Sequence, residues 1–390
     1  MRATPARVLL FALLVHGVIG SIVLAQRVGP DRGDFDRYWT IATTAGRPYV
    51  DYEVERAPGE VLVLKTIAAA AGTRTFFGPI IVIANLAADL AIVAALAWGW
   101  GIAAAVYFAV AVLPIFDLLC ARIDLWSMAA ATVGVAAWQR HKPIVTAIAL
   151  AVGGSFKVWP LPFAVLLLAP GTLSRPRRRA GPLVAFAAIA AAIGVSWWMF
   201  AEWSGFRQVL TFRGAQGWQI ESSVGSVLLL VGRGLMRFEA GADRIGSTNN
   251  PATVLTLSAA AAMYLWSLWK AMRTGHVGAG WLAGVSALLL LSSLFSPQFM
   301  GWLVPGAAIA WAQGDRRPAL FTAFAVVLTA LEWGSYSALE RGAPLAALAV
   351  VARNLGVAAI TWSAAATLYG ARVDGFVPAD DLRPVERLEA

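Results

Sequence analysis

The chain has 390 residues, 59% of them hydrophobic and 14% charged, with 31 basic against 22 acidic side chains and a formal net charge of +9. So apolar a composition excludes an ordinary water-soluble domain. Long Ala, Leu, Val and Ile runs, broken by Gly and Pro and edged by many of the 17 Trp, point to spanning helices, and the alternation that an outer-membrane barrel needs is missing.

The basic residues fall in short clusters between the apolar runs: Arg2 and Arg7, Arg140 and Lys142, "RPRRR" at 175–179, Lys270 and Arg273, and Arg316 and Arg317. Taken as positive-inside signals, all five mark cytoplasmic ends. They lack interleaved aromatics and lie where topology demands them, so nucleic acid is not an expected partner. The single cysteine, Cys120, excludes an internal disulfide. None of the three histidines, His16, His141 and His276, has a metal-ligand neighbour at helical spacing. The sequence requires no cofactor and leaves a divalent metal open.

In chain order, the first apolar run, about 8–25, reads as a retained anchor, since no small-x-small cleavage site precedes Gln26. Residues 26–75 form a large outer loop holding one short apolar helix, "GEVLVLKTIAAAAG", dipping along the membrane. Spans are expected near 76–98, 101–119 and 124–138. The stretch 143–171 is broken by "GGSFKVWP" and lies between two basic clusters, so it is expected to be a hairpin of two short helices with Lys157 at its outer tip. A span at about 181–202 leads to a second outer loop, 203–250, with an apolar helix near 223–236. Spans near 251–270, 278–295, 299–313, 318–338 and 344–369 complete one integral membrane domain, residues 1–390. The expected fold is an all-α polytopic membrane protein with roughly eleven to thirteen spans and both termini inside.

This topology puts the unusual polar residues on one face. Asp31, Asp34, Asp36, Asp51, Glu53, Glu55 and Glu60 share the first outer loop, and Arg122, Asp124, Lys157, the 203–250 loop and the "SPQF" turn at 296–299 share its side of the membrane. A solvated loop would need acids but not the Trp, Tyr, Gly and Pro interleaved with them. Outward-facing carboxylates with scattered cations suit glycosyl transfer from a lipid-phosphate sugar: a carboxylate takes the acceptor's proton, and Lys or Arg stabilises the phosphate leaving group. Nucleotide-sugars are made in the cytoplasm, so an outward-facing transferase would use a lipid donor, whose isoprenoid would lie between helices.

Five segments in order carry a family resemblance. "GDFDRYW…AGRPYVDYEVERAPGEVLVLKTIAAAAG" resembles the first outer loop of glycosyltransferase family 87, with its GD-x-x-x-Y, G-x-PY-x-D and E-x-PPG elements. "ARIDLWSMAAATVGVAAW", "GSFKVWPLPFAVLLLAP", "GWQIESSVGSVLLL" and "SPQFMGWLVP" resemble its R-[FY]-DLLPALL, K-x-[YW]-P, Q-[VI]-ES and SPQ-[YF]-x-W-x-x-P segments. Two departures occur: "ERAPG" is one Pro short, and "RID" replaces R-[FY]-D. The resemblance implies a GT-C-type enzyme of a bacterial cytoplasmic membrane, with its site on the extracytoplasmic side. It would transfer a mannose- or arabinofuranose-like sugar, with inversion, from a polyprenyl phosphate to a glycan or glycolipid acceptor.

Asp34 matches the family's GD aspartate, where GT-C enzymes place the acceptor-activating base, and is the candidate catalytic residue. Asp36 is its local rival, expected to point away if the segment is extended. Lys157, at a helix break at membrane depth, is the candidate donor-phosphate ligand. Arg122 and Gln298 are candidates beside it, although Arg122 with Asp124 also reads as an ion pair at helix ends and Gln298 as a turn residue. Asp51, Glu55, Arg213, Gln219 and Glu221 are candidates for acceptor binding or loop support. Within the spans, Asn85 with Asp89 and Glu332 with Arg353 read as structural ties. They leave room for two competing classes, a lipid-sugar flippase and a non-catalytic envelope scaffold.

Overall fold

The computed structural model describes residues 4–26, 33–168 and 176–371. Arg2, Asp31, the side chains of the basic run 175–179 and the chain beyond residue 371 lie outside that description. Helices dominate, as expected of an all-α polytopic membrane protein. Six of them are long and apolar enough to cross a membrane. They start with α1 (Pro5–Gln26) and α4 (Arg74–Trp100), between which lie the two short helices of the first loop, α2 (Asp34–Thr43) and α3 (Pro58–Ala71). The next crossing, residues 102–120, runs through α5 (Ile102–Ala111), a 3-10 turn at Pro114 and α6 (Phe116–Cys120).

Several other expected spans are shorter than a full crossing. The helices α7 (Asp124–Gln139) and α8 (Pro143–Phe156) form a hairpin, and residues 161–168 return as a 3-10 helix after the break at Lys157. The break comes later than the glycines: Gly153 and Gly154 remain helical, and Lys157 leaves the helix in extended backbone. Next, α9 (Pro176–Leu210) outruns its expected end at 202, with a kink at Glu202 that lets it continue. The remaining helices are α10 (Ser223–Leu230), α11 (Pro251–Thr274), α12 (Val277–Leu291), α13 (Val304–Ala312), α14 (Arg316–Gly334), α15 (Tyr336–Glu340) and α16 (Pro344–Gly370).

The second loop contains an unexpected sheet. Strands β1 (Trp218–Gln219), β2 (Arg237–Glu239) and β3 (Ala242–Ile245) pair antiparallel in the order β1-β3-β2. Glu239 faces Ala242 across a two-residue turn in which Ala240 and Gly241 both have positive φ, 51° and 79°. Two left-handed residues give the twist that a tight hairpin needs, and Gly241 takes one of them without cost. The expected apolar helix at 223–236 therefore ends at Leu230, and the chain after it goes into this hairpin.

Helix contacts rely on small residues, as in membrane bundles generally. A Cβ on Gly278 would lie 2.2 Å from the Ala310 nitrogen, so α12 and α13 touch backbone to backbone. Buried polar ties lock the bundle. His16 on α1 reaches Asp89 on α4 (2.6 Å) and the Ala109 carbonyl on α5 (3.0 Å). Asn85, one turn from Asp89, donates to the carbonyls of Cys120 and Arg122 at 2.8 and 3.0 Å. Glu332 and Arg353 pair at 3.3 Å between α14 and α16, as their positions suggested. Outside the bundle, α1, α9, α11 and α16 turn large side chains outward, among them Leu14, Met199, Leu255 and Trp362, as lipid-facing helices do.

The helix directions separate the two ends of the molecule. The hairpin α7–α8 turns at Arg140–Lys142, while its open end carries Asp124 and Lys157, 3.9 Å apart. Likewise α11 and α12 turn near His276, which bonds Asp315 at 2.9 Å, while the far end of α12 leads to the 296–299 turn. The basic turns and the residues that carry the motifs thus lie at opposite ends.

Candidate functional site

At the motif-bearing end, a cavity of about 610 Å³ opens between the first loop, the tip of α8, the 296–299 turn and the β2–β3 hairpin. Six of the ten site residues expected from sequence line it: Asp34, Glu55, Arg122, Lys157, Gln219 and Gln298. They come from five segments spread over more than 260 residues of chain. Among its titratable lining residues are five cations, Arg37, Arg56, Arg122, Lys157 and Arg244, and three carboxylates, Asp34, Glu55 and Glu60. The excess of two positive charges favours an anionic group. Apolar side chains line it as well, among them Val158, Trp159, Pro162, Ala261, Leu265 and Leu289.

Asp34 opens α2, after Gly33 turns the chain in at φ 55°. A carboxylate is favoured in the first turn of a helix. Asp36 does point away, but for another reason than expected: i and i+2 of an extended segment share one face, whereas in the helix α2 Asp36 sits about 200° around from Asp34. The two acids accordingly part: Asp34 meets Arg122 at 2.9 Å in the cavity, and Asp36 pairs outside it with Arg74. Asn85 holds the carbonyl of Arg122, so a buried tie inside the bundle positions the Arg122–Asp34 pair. The expected partnership of Arg122 with Asp124 is replaced: Asp124 accepts from the indole nitrogen of Trp302 at 3.0 Å and faces Lys157.

Lys157 meets two carboxylates, Glu60 at 3.2 Å and Asp124 at 3.9 Å, and lies over the Phe299 ring. Phe299, Trp302 and Trp159 stack in succession beneath it. Glu60, in the first turn of α3, is buried, and burial pushes its carboxyl above the ordinary value against the pull of Lys157 and Arg56. Glu55 shows the reverse balance. Burial raises it, but Arg56, Arg37 and Arg213 outweigh that and hold it below the ordinary carboxylate range.

Gln298 is buried beside the cavity, and its Oε1 has no hydrogen-bond partner among the described residues. Gln219 serves the backbone instead: its Oε1 accepts from the Phe295 N–H at 3.1 Å, and its own N–H bonds the Ser293 carbonyl, tying β1 to the end of α12. Besides Asp36, three expected residues stand outside the cavity. Asp51 braces its loop by accepting from the Arg47 N–H at 2.6 Å. Arg213 faces Glu53 and Glu55 at 3.9 and 3.6 Å in a neighbouring cleft. Glu221 is buried behind the wall, where it accepts from the Tyr336 hydroxyl at 2.8 Å.

Sequence reasoning passed over Arg244. Its guanidinium is 2% exposed and donates to the carbonyls of Gly217 (2.8 Å) and Glu239 (3.1 Å), while Nη2 has no partner among the described residues. A buried, incompletely satisfied guanidinium on a cavity wall is a ready anion or hydroxyl ligand. The signal available was weak: an Arg within "GADRIG", a hairpin with no helical or family cue. Glu60 and Arg56 were similarly legible only as an i,i+4 pair in "RAPGE".

Neither a protein-family model nor a curated protein matches the sequence. Among solved structures, the chain is similar to ArnT from Cupriavidus metallidurans in the apo state, at 15% identity and a TM-score of 0.48, over 92% of this chain and 77% of that one. It is likewise similar to ArnT from the same organism bound to undecaprenyl phosphate, at 16% identity and a TM-score of 0.47, over 93% and 78%. The resemblance to glycosyltransferase family 87 rests on the five motifs.

Proposed function

We propose that the protein is a membrane glycosyltransferase that moves a sugar from a polyprenyl-phosphate donor to an acceptor hydroxyl on the extracytoplasmic side. One observation carries the reading: five motif-bearing segments, distant in sequence, meet in a cavity whose lining divides between cationic and apolar side chains. A polyprenyl-phosphate sugar has that same division between an anionic head and an apolar tail.

In this reading the isoprenoid runs along Val158, Pro162 and Leu265, and the phosphate is held by Lys157 and Arg244 with Gln298 beside them. The acceptor oxygen attacks the anomeric carbon from the face opposite the phosphate. The bond from that carbon to the phosphate oxygen breaks, its electron pair leaves with the polyprenyl phosphate, and Asp34 takes the hydroxyl proton. Inversion follows from the single displacement. Arg122 orients the Asp34 carboxylate, and Lys157 offsets the charge that grows on the leaving phosphate. The family-87 resemblance favours a mannose- or arabinofuranose-like sugar.

The test is incubation of the purified protein with radiolabelled polyprenyl-phosphate sugars and crude membrane acceptors. Transfer of label into a glycosidic product supports the enzyme. Movement of the intact lipid-sugar across a vesicle membrane without such a product would instead make the protein a flippase, and neither outcome would leave it a scaffold.

A further inference from the structure

A second concavity adjoins the cavity. This open cleft, of about 480 Å³, is lined by Arg37, Glu53, Arg213, Ala215, Phe238 and the tip of the β2–β3 hairpin from Glu239 to Gly241. Arg37, Ala240 and Gly241 line both spaces, so the two share a wall. That wall consists of Arg37, held by its ion pair with Glu55, and of the hairpin tip, whose Gly241 packs against the Arg37 guanidinium.

Its lining has a distinctive chemistry. Phe238 projects from β2 with 76% of its surface exposed, so its ring is open to a ligand in the cleft. Around it stand two cations, Arg37 and Arg213, and two carboxylates, Glu53 and Glu239, which cancel in charge. Glu239 is spoken for, since it accepts from the N–H groups of Gln216 and Gly217 and pairs with Arg237. Glu53 is different: it is 71% exposed and its nearest cation is 3.9 Å away. An exposed ring face beside hydrogen-bond donors and acceptors of both signs, with no net charge, matches an uncharged saccharide, whose C–H face stacks on an aromatic and whose hydroxyls both donate and accept.

Position supplies the second argument. Arg37 follows Asp34 by three residues on α2, so the two share a helix face, with Arg37 lining both spaces and Asp34 the cavity alone. A saccharide on Phe238 would therefore lie next to the cavity that holds the Asp34 carboxylate, with Arg37 and the hairpin tip between them. The aliphatic side chains that suit an isoprenoid, Val158, Leu265 and Leu289, line the cavity and not the cleft.

We infer that this cleft is the acceptor subsite, that it takes an uncharged glycan, and that Phe238 is its stacking platform. The inference rests on the transferase reading for the word acceptor, but saccharide binding at the cleft is measurable without any turnover. The experiment is saturation-transfer NMR of the full-length protein in detergent with neutral manno- and arabino-oligosaccharides as probes, with a parallel binding measurement for undecaprenyl phosphate. At least one oligosaccharide should bind the wild type. Phe238→Ala should weaken that binding about tenfold and Glu53→Gln about threefold, each with undecaprenyl phosphate affinity unchanged. The exposed positions of both residues make misfolding an implausible cause, and the undecaprenyl phosphate arm checks it directly. Equal saccharide binding by wild type and Phe238→Ala, or no saccharide binding by the wild type, would overturn the subsite while leaving the donor cavity standing. Loss of undecaprenyl phosphate binding by the wild type would instead strike the transferase reading.

Discussion

Asp34 and Asp36 stand two residues apart in "GDFDRYW" and meet different cations, Arg122 inside the cavity and Arg74 outside it. That separation makes the pair an internal control. Asp34→Asn keeps size and hydrogen bonding but removes the proposed base, so turnover should fall about a hundredfold or more with donor binding little changed. Asp36→Asn loses a partly exposed ion pair outside the cavity and should stay within a few-fold of wild type. Near-normal transfer by Asp34→Asn would remove Asp34 from the base role. Lys157 gives a second contrast of the same kind, because Glu60 competes for its ammonium at 3.2 Å. Lys157→Ala should weaken undecaprenyl phosphate binding at least tenfold, and Lys157→Arg should recover part of it, since charge is kept while geometry changes. Glu60→Gln removes the competitor and should bind the lipid phosphate at least as tightly as wild type. A weaker complex in that variant would mean that Glu60 positions Lys157 and does not compete with the phosphate.

The elements that bring these side chains together depend on a few close contacts. On α3, a Cβ at Gly59 would lie 2.4 Å from the Ser155 hydroxyl and 2.8 Å from its carbonyl oxygen, so α3 meets α8 directly beside Glu60 and Lys157. Gly59→Ala must push the two helices apart, at a cost of about 1–3 kcal/mol. It should lower thermal stability and also weaken donor binding, whereas Gly72→Ala, whose Cβ would meet open space, strains only a left-handed cap and should spare the site. Glu221 ties the loop to α15 through Tyr336, and burial, with nearby Glu332, pushes it up to about 7. The folded state therefore holds this proton more tightly than the unfolded chain. Its contribution is fully present below about pH 4.5, the ordinary glutamate value, and is lost as pH rises through about 7. Glu221→Gln should flatten that fall, seen as a higher melting temperature at pH 8 than the wild type. Much of this architecture was legible in sequence, because the break around Lys157 and Pro160 and the long apolar runs are local signals, although Gly153 and Gly154 stay helical. The helix α2 was not: "DFDRYWTIAT" has too few apolar residues to stand out, and it is helical because Phe35, Tyr38, Ile41 and Ala42 bury one face. Arg244 was equally hidden, since only the pairing of β2 with β3 aims it at the cavity.

At the scale of the whole molecule, charge and polarity divide between two ends. The turns holding Arg140, Lys142 and the His276–Asp315 pair lie opposite the end that carries Asp34, Lys157 and both concavities. Basic turns stay in the cytoplasm, so the cavity should open on the other side, where a lipid-linked donor is the available activated sugar. Cysteine labelling tests this directly. The native Cys120 is buried, and Cys120→Ser supplies a background without a thiol. In that background Glu53→Cys, at a position 71% exposed in the cleft, should react with an impermeant maleimide on intact cells. Lys142→Cys, at an exposed turn of the other end, should react only after permeabilisation. The reverse pattern would turn the cavity toward the cytoplasm. Nucleotide-sugars are available there, so the argument for a polyprenyl-phosphate donor would lose its topological half and rest on the apolar lining alone.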